Sequence, residues 1–277
     1  MDFSQFEGAQ TFFNLACFYN MITLPFHPLA SHSHISDSNH LWYDDRIIKC
    51  NFNQGVFNMY QETHKIDLVQ TVLKNWKGFF IPYEMALYEL KSDFNIIDLE
   101  WKSKHGYSPI EHMKTRLKTI MSLVEKIENK EIPLTQESIK QEIRDIVGVR
   151  IVTSFIDDVY LLKEHIEQRE DIRMIRVKDY IKEPKKSGYK SLHLVVETQV
   201  ILSNEVIWVP AEIQIRTSAM DFWASTEHKL NYKYQGESIP EEAQKQLIEL
   251  SNASSLLDKE MSKLRIQLLS SETDSNG

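Results

Sequence analysis

The chain has 277 residues, with 32 Lys and Arg against 40 Asp and Glu, giving a formal net charge of −8. That balance excludes the global basic footprint of a nucleic-acid-coating protein, while leaving room for a local basic pocket. Two cysteines, Cys17 and Cys50, are too few for a disulfide framework or a zinc site, and no apolar run reaches the roughly 18 residues that span a bilayer.

Residues 1–58 differ from the rest. Arg46 and Lys49 are their only basic residues, and no helical or strand period persists. The start Met1-Asp2-Phe3-Ser4 lacks the basic stretch of a secretory signal, so a cytoplasmic, reducing location is expected. His27, His32, His34 and His40 fall among Ser, Pro and Asn. A histidine cluster can bind metal, but here the spacing is irregular and no cysteine supports it. The segment reads as a loosely ordered extension, with Met59 as an alternative start. The remainder, 59–277, reads as one domain with a regular core over about 63–269.

Residues 66–92 carry Leu68, Val72, Trp76 and Phe79 on one side, which predicts a helix, with a break or kink near Pro82. Ser108-Pro109-Ile110-Glu111 has the form of a capping box with Pro at the first helical position. It predicts a following helix that buries Ile110, Met113, Leu117, Ile120, Val124 and Ile127. Strands are expected at Gly148–Phe155, Ile172–Tyr180, Lys190–Val200 and Val206–Arg216, with a helix over 157–169 between the first two. Helical pattern returns at 218–232 and 240–269. The sum is a mixed α/β (α+β) core flanked by helices. The last helix carries Leu247, Leu250, Ser254, Leu257, Met261, Leu264 and Leu268, a heptad seam that suits either packing on the chain's own domain or a subunit contact.

Four constellations can carry chemistry. Lys118, Ser122 and Lys126 follow at i, i+4 and i+8, with Lys114 and Arg116 nearby. Cations and a hydroxyl in a row suit a polyphosphate, and they equally suit a solvated helix face. On an ideal helix Arg116 points away from that row. Asp145, just before Gly148-Val149-Arg150, is placed either to hold Mg²⁺ or to end a loop. The basic segment Pro184–His193 puts Tyr189, Ser191 and His193 on one strand face, where a tyrosine can stack on a base or simply face solvent. In Val209–Arg216 the alternation separates Val209, Ala211, Ile213 and Ile215 from Glu212, Gln214 and Arg216. The second set matches a metal-assisted nucleotide site as well as a wet sheet face. The aromatics of Met220–His228 read as core.

Taken together, Ser108–His112 with Arg116-Leu117-Lys118, Asp145–Ile151, Asp179-Tyr180-Ile181 with Pro184-Lys185 and Gly188–His193, and Ala211–Thr217 through Met220–His228 resemble the synthetase domain of the RelA/SpoT family, specifically its small single-domain alarmone synthetases. The resemblance implies a nucleotidyltransferase-like mixed sheet. It also implies a Mg²⁺-dependent transfer of the β,γ-pyrophosphate of ATP to the 3′-hydroxyl of GDP or GTP, giving (p)ppGpp and AMP. Residue by residue, it implies that Arg116, Lys118, Ser122, Lys126 and Arg150 bind ATP and that Asp145 and Glu212 hold Mg²⁺. Tyr189 would stack on guanine, and Lys185, His193, Gln214 and Asp221 would line the acceptor side. Glu212 is the candidate base for the hydroxyl proton. Small members often form homotetramers, so a homo-oligomer is implied as well.

There are departures. Asn129 stands where many relatives have a basic residue, and Asp221 where some have Asn. Asn95 and Asp98 stand near places that are basic in product-activated members, so that regulation is not expected. No His-Asp dipeptide occurs, so the hydrolase half of long members is not expected, nor is their C-terminal regulatory domain. Two other readings remain. One is a toxic relative that modifies the 3′ end of tRNA, and the other is a nucleotide sensor without catalysis.

Overall fold

The computed structural model describes residues 64–76, 78–233 and 240–275. The chain divides into two units, 1–54 and 55–277, and the described residues belong to the second. The expected extension 1–58, its four histidines, Cys17 and Cys50 lie outside the described residues, as does Met59. No helix among the described residues is long and apolar enough to cross a membrane.

A first helix, α1, occupies 64–75. The expected break follows, and α2 (Ile81–His105) starts with Pro at its first turn, where the missing N–H costs nothing. It runs past the expected end at 92 and stops at Gly106, whose φ of 66° supplies the left-handed cap. Next come strand β1 (His112–Leu117) and helices α3 (Ile120–Asn129) and α4 (Gln136–Glu142). Strand β2 (Val147–Thr153), helix α5 (Ile156–Glu167) and strands β3 (Ile172–Asp179), β4 (Leu192–Ile201) and β5 (Val206–Thr217) complete the sheet. Helices α6 (Ser218–Lys233) and α7 (Glu241–Ser275) close the described chain. The strands stand in the order β1-β2-β5-β4-β3. Only β2 and β5 run parallel; the other neighbours are antiparallel, so the sheet is mixed, as expected.

One expectation fails in an instructive place. Residues 112–117 form an edge strand rather than the start of a helix. The apparent 3.6-residue stripe joins two elements. Met113 and Leu117 belong to the inward face of β1, whereas Ile120, Val124 and Ile127 belong to α3. The cap lies at Thr119, whose hydroxyl accepts from the Ser122 N–H. Of the supposed capping box, Ser108 accepts only from the Ile110 N–H, and Glu111 accepts from the Ser154 hydroxyl. Helix α4 was also unanticipated; seven residues are too few to show a period.

The buried sheet face is built from Val147, Val149 and Ile151 of β2, Leu192, Leu194 and Val196 of β4, and Ala211, Ile213 and Ile215 of β5. Helix α2 covers it with Ala86, Leu90, Phe94 and Ile97. Burying each large side chain contributes about 1.5–3 kcal/mol, so this layer fixes which way every strand faces.

Helix α7 reverses half of its expectation. Ser251, Asp258 and Ser262 are its buried residues, whereas Leu250, Leu257, Met261 and Leu264 are 60%, 57%, 46% and 47% exposed. These four seam residues therefore face outward, while Leu247 and Ser254 are half-buried. Small and polar residues meet the domain, because α7 lies close to loop backbone and meets Thr217 through Asp258 at 2.7 Å.

Candidate active site

The face opposite α2 carries the polar alternates of every strand. Register sets them in two rows. One runs Arg116, Gly148, Glu212, Val195 and Arg176; the next runs Lys114, Arg150, Gln214, His193 and Lys178. Residues paired across strands share a face, so both rows project into the same space. Over the β1–β2–β5 part lies a cleft of about 270 Å³ lined by Lys114, Arg116, Gly148, Arg150, Glu212 and Gln214. Larger hollows exist elsewhere, including a 700 Å³ groove between α6 and α7. That groove is mainly apolar and lacks converging charges, so size alone does not mark the site.

Arg116 reaches this cleft because it is on a strand. Gly148 sits opposite it, and a Cβ there would meet Arg116 Cγ at 3.2 Å and Nε at 3.3 Å. The missing side chain lets the guanidinium lie across the sheet, beside Arg150. Arg150 is partly buried, and its Nε has no partner.

Just before the start of β2 stands Asp145. Lys126 Nζ donates to its Oδ1 at 2.6 Å and Lys118 Nζ to its Oδ2 at 3.2 Å. The row expected on one helix is thus assembled differently. Lys118 comes from the β1–α3 turn, pinned by its N–H to Ile146 O at 2.7 Å, while Ser122 and Lys126 are on α3. Burial pushes the Asp145 carboxyl up, but the bond and charge of Lys126, then those of Lys118, hold it below the usual aspartate range.

Glu212 is the centre. His193 Nδ1 is 3.2 Å from its Oε1, and Gln214 Nε2 donates to its Oε2 at 2.9 Å. The other His193 nitrogen, Nε2, is 2.9 Å from the Tyr189 hydroxyl. The network is satisfied when the phenol donates to Nε2 and Nδ1–H donates to the carboxylate. Burial raises the Glu212 carboxyl, yet the His193 contact and the Gln214 amide outweigh it and leave the group below the ordinary glutamate value. Asp145 acts on Glu212 in the opposite, raising sense, so the two carboxylates feel each other. Among the described residues no three His, Cys, Asp or Glu form a metal cage. Two neighbouring carboxylates fit Mg²⁺ nonetheless, since that ion takes one or two of them plus substrate oxygens.

Beyond Glu212 the rings of Tyr180, Tyr189 and His193 pack edge to face, with Lys185 Nζ 4.9 Å from the centroids of both tyrosines. Burial keeps the Tyr189 phenol protonated by raising its pKa. Asp221 faces two arginines. Arg216 Nη2 forms an ion pair with its Oδ1 at 2.6 Å, and Arg150 Nη1 lies at 3.9 Å.

Structure therefore gathers Arg116, Arg150, Lys118, Lys126, Asp145, Glu212, Gln214, His193, Tyr189 and Lys185 around one sheet face. Ser122 is held in the α3 cap, with its hydroxyl 3.0 Å from Thr119 Oγ1. Arg216, expected beside Glu212 and Gln214 on the polar face, is only 2% exposed and faces Asp221 instead, and sequence reading gave no role to Arg176 and Lys178 on the open edge. Alternation within β3 puts Arg176 and Lys178 on one face, but only the pairing of Lys178 with His193 shows that it is the site's face.

The sequence pattern described as a region found in RelA/SpoT proteins matches residues 115–237. The chain is 46% identical over 199 residues to the GTP pyrophosphokinase YwaC of Bacillus subtilis, covering 72% of this chain and 94% of that protein. It is 43% identical over 192 residues to the GTP pyrophosphokinase YjbM of the same organism, covering 69% and 89%. A crystal structure of small alarmone synthetase 1 from B. subtilis bound to its product pppGpp superposes with a TM-score of 0.64 at 42% identity, covering 70% of this chain and 98% of that one. With the expected motifs set on one sheet face and relatives matched over most of their length, the chain belongs to the RelA/SpoT family, among its small alarmone synthetases.

Proposed function

We propose that the protein is a GTP/GDP pyrophosphokinase, passing the β,γ-pyrophosphate of ATP to the 3′-hydroxyl of GDP or GTP to make (p)ppGpp and release AMP. The observation that carries this reading is the ordered file on one sheet face. Cations around Asp145 stand at one pole, Glu212 at the centre, and the Tyr189–His193 pair beyond it.

In this reading Arg116 and Arg150 hold the adenine between guanidinium planes. Lys118, Ser122 and Lys126 bind the phosphates. In the free protein both lysines neutralise Asp145. An incoming polyphosphate competes for them, and their transfer to phosphate frees Asp145. Asp145 and Glu212 would then hold Mg²⁺, which supplies charge neutralisation on the transferred group. Tyr189 stacks on guanine, while Lys185, His193, Gln214 and Asp221 line the acceptor side. Glu212, ionised at neutral pH, accepts the 3′-hydroxyl proton. The O3′–Pβ bond forms as the bridge between the α- and β-phosphorus breaks, and AMP leaves. Placement and charge neutralisation supply most of the rate in such transfers.

Incubation with ATP, Mg²⁺ and GDP or GTP yields AMP and a 3′-pyrophosphorylated guanosine nucleotide. Absence of product from both acceptors refutes the reading. The basic edge formed by Arg176 and Lys178 beside His193 is the one feature that favours an RNA 3′ end instead. Deacylated tRNA offered in parallel, with labelled ATP, separates the two.

We also propose a cytoplasmic homo-oligomer. The exposed row of Leu250, Leu257, Met261 and Leu264 and the apolar α6–α7 groove support self-association. Light scattering on Leu257→Glu should give a smaller assembly than the parent; an unchanged mass removes this face from the contact.

A further inference from the structure

Helix α7 lies outside the catalytic file, yet it holds the segment that carries Tyr189. Between β3 and β4 the chain runs from 180 to 191 without a strand or helix. Its base is closed by Tyr180 N–H to Ser191 O at 3.0 Å and by Asp179, which accepts from the Ile181, Lys182 and Glu183 N–H groups. Around Tyr189 the loop's own backbone bonds are only Gly188 N–H to Lys185 O at 2.8 Å and Lys185 N–H to Tyr189 O at 3.1 Å. A residue on irregular backbone is placed more firmly when a rigid neighbouring element supports it.

That support comes from one turn of α7. Ser251 Oγ donates to Gly188 O at 2.5 Å. Lys190 Nζ donates to Ser251 O at 3.0 Å and to Asn252 Oδ1 at 3.3 Å. Both chain neighbours of Tyr189 are thus tied to the same helical residue. The approach is tight: Gly188 has a φ of +91°, and a Cβ on it would lie 3.1 Å from Ser251 Cβ and 3.4 Å from Ile248 Cα. Glycine is needed there for both reasons. Ser251 is 3% exposed and Lys190 8%. Burial, reinforced by Lys259 and opposed by Asp258, holds the Lys190 ammonium below the usual lysine range. A charged group kept in such a place at a cost is there for its hydrogen bonds. From Tyr189 the connection continues through the hydroxyl to His193 and on to Glu212.

We infer that Ser251 and Lys190 are positioning residues for the acceptor: they lock the Tyr189 loop to α7 and thereby set affinity for the guanosine nucleotide without touching it. The inference rests on the pyrophosphokinase reading above and adds to it a clamp on the acceptor side alone. The donor groups Lys118, Lys126, Arg116 and Arg150 have no bond to this turn of α7 among those described.

The test uses the full chain with Ser251→Ala, Lys190→Met and the conservative Lys190→Arg. Initial rates are measured with ATP and GDP varied separately, and GDP binding is titrated directly in the absence of ATP. Loss of one clamp bond in Ser251→Ala should raise the GDP KM and Kd about fivefold, and loss of two in Lys190→Met about tenfold, the latter corresponding to about 1.4 kcal/mol. The KM for ATP should stay within about twofold, and Lys190→Arg should recover most of the loss. Equal changes in both substrates, or no change in GDP affinity, overturn the clamp. If the parent forms no product yet binds GDP, the pyrophosphokinase reading fails and the titrations alone judge the clamp. If the parent neither turns over nor binds GDP, both fail. Ser251→Ala removes one oxygen, so it keeps the test meaningful should Lys190→Met fold poorly.

Discussion

Glu212→Gln is the sharpest perturbation, because it removes a charge and almost no volume. The carboxylate has two oxygens, and each serves a different donor: Oε1 faces His193 Nδ1 and Oε2 accepts from Gln214 Nε2. An amide offers one oxygen and one NH₂, so one of these donors faces another donor. An unsatisfied buried donor costs about 1–3 kcal/mol, which is the expected loss of stability if His193 keeps its tautomer. His193 can relieve it by moving its proton to Nε2 and reversing the bond with Tyr189, which brings the loss toward the lower end of that range. Transfer suffers far more, since a general base is worth about 10²–10⁴-fold and the amide cannot take the 3′-hydroxyl proton. The proposed reading places ATP on Arg116, Lys118, Lys126 and Arg150, so its affinity without Mg²⁺ should hold within about threefold, roughly 0.7 kcal/mol. The assay is AMP formation at saturating ATP and GDP, together with equilibrium titration of ATP and a thermal melt. Turnover within about threefold of the parent would refute the role of Glu212, whatever the melt shows, because a general base typically contributes about 10²–10⁴-fold.

Other outcomes follow from the same geometry. Both Asp145 and Glu212 titrate below their ordinary values. Their stabilising contribution is therefore fully present above the unfolded-state carboxylate pKa and is lost as pH falls through the lower folded values. Chemical denaturation from pH 6 down to 3 should show this decline, and it should be shallower in Glu212→Gln. Gly148→Ala places a methyl 3.2 Å from Arg116 Cγ, so the arginine must shift by a few tenths of an ångström. The ATP KM should rise several-fold with the GDP KM unchanged; equal KM values for parent and variant would show that Arg116 does not hold the donor. Arg216→Met leaves the Asp221 carboxylate without its 2.6 Å partner. Breaking a buried pair from one side costs about 3–5 kcal/mol, so a large drop in melting temperature is expected, and a drop of only a degree or two would refute the pairing.

Much of this was legible in the sequence because strands announce themselves by alternation. The ends of β2, β3, β4 and β5 fall within a few residues of their expected places, and alternation in Val209–Arg216 already put Glu212 and Gln214 opposite the core. The miss at β1 has a specific cause. Met113, Leu117, Ile120 and Val124 are spaced by three and four, so one strand and one helix together imitate a single helix. With that error Arg116 points away from the lysines; with the strand restored it faces the cleft through its pairing with Gly148. The lysine–aspartate contacts join residues 19 and 27 apart in the chain and depend on the turn at Thr119, which no local pattern reveals. For α7 the heptad was legible, but its direction was not. Which face meets the domain depends on how closely the Gly188 loop approaches, and that needs a serine rather than a leucine at the contact.

The β4–β5 hairpin has a practical corollary. Its turn, closed by the Leu202 N–H to Glu205 O bond at 2.8 Å, leaves Ser203 and Asn204 exposed. Eight rungs of the ladder separate the Ile201–Val206 pair from the His193–Gln214 pair. At about 3.3 Å per rung that is roughly 26 Å of sheet. An extra residue in β5 between Val206 and Glu212 would have to bulge or reverse the facing of the strand on one side of it, whereas one between Ser203 and Asn204 leaves both strands' facing unchanged. The tip is thus the natural splice point for an epitope or a fluorescent reporter, joined to the same two strands that carry the working carboxylate yet far enough away to leave its chemistry undisturbed.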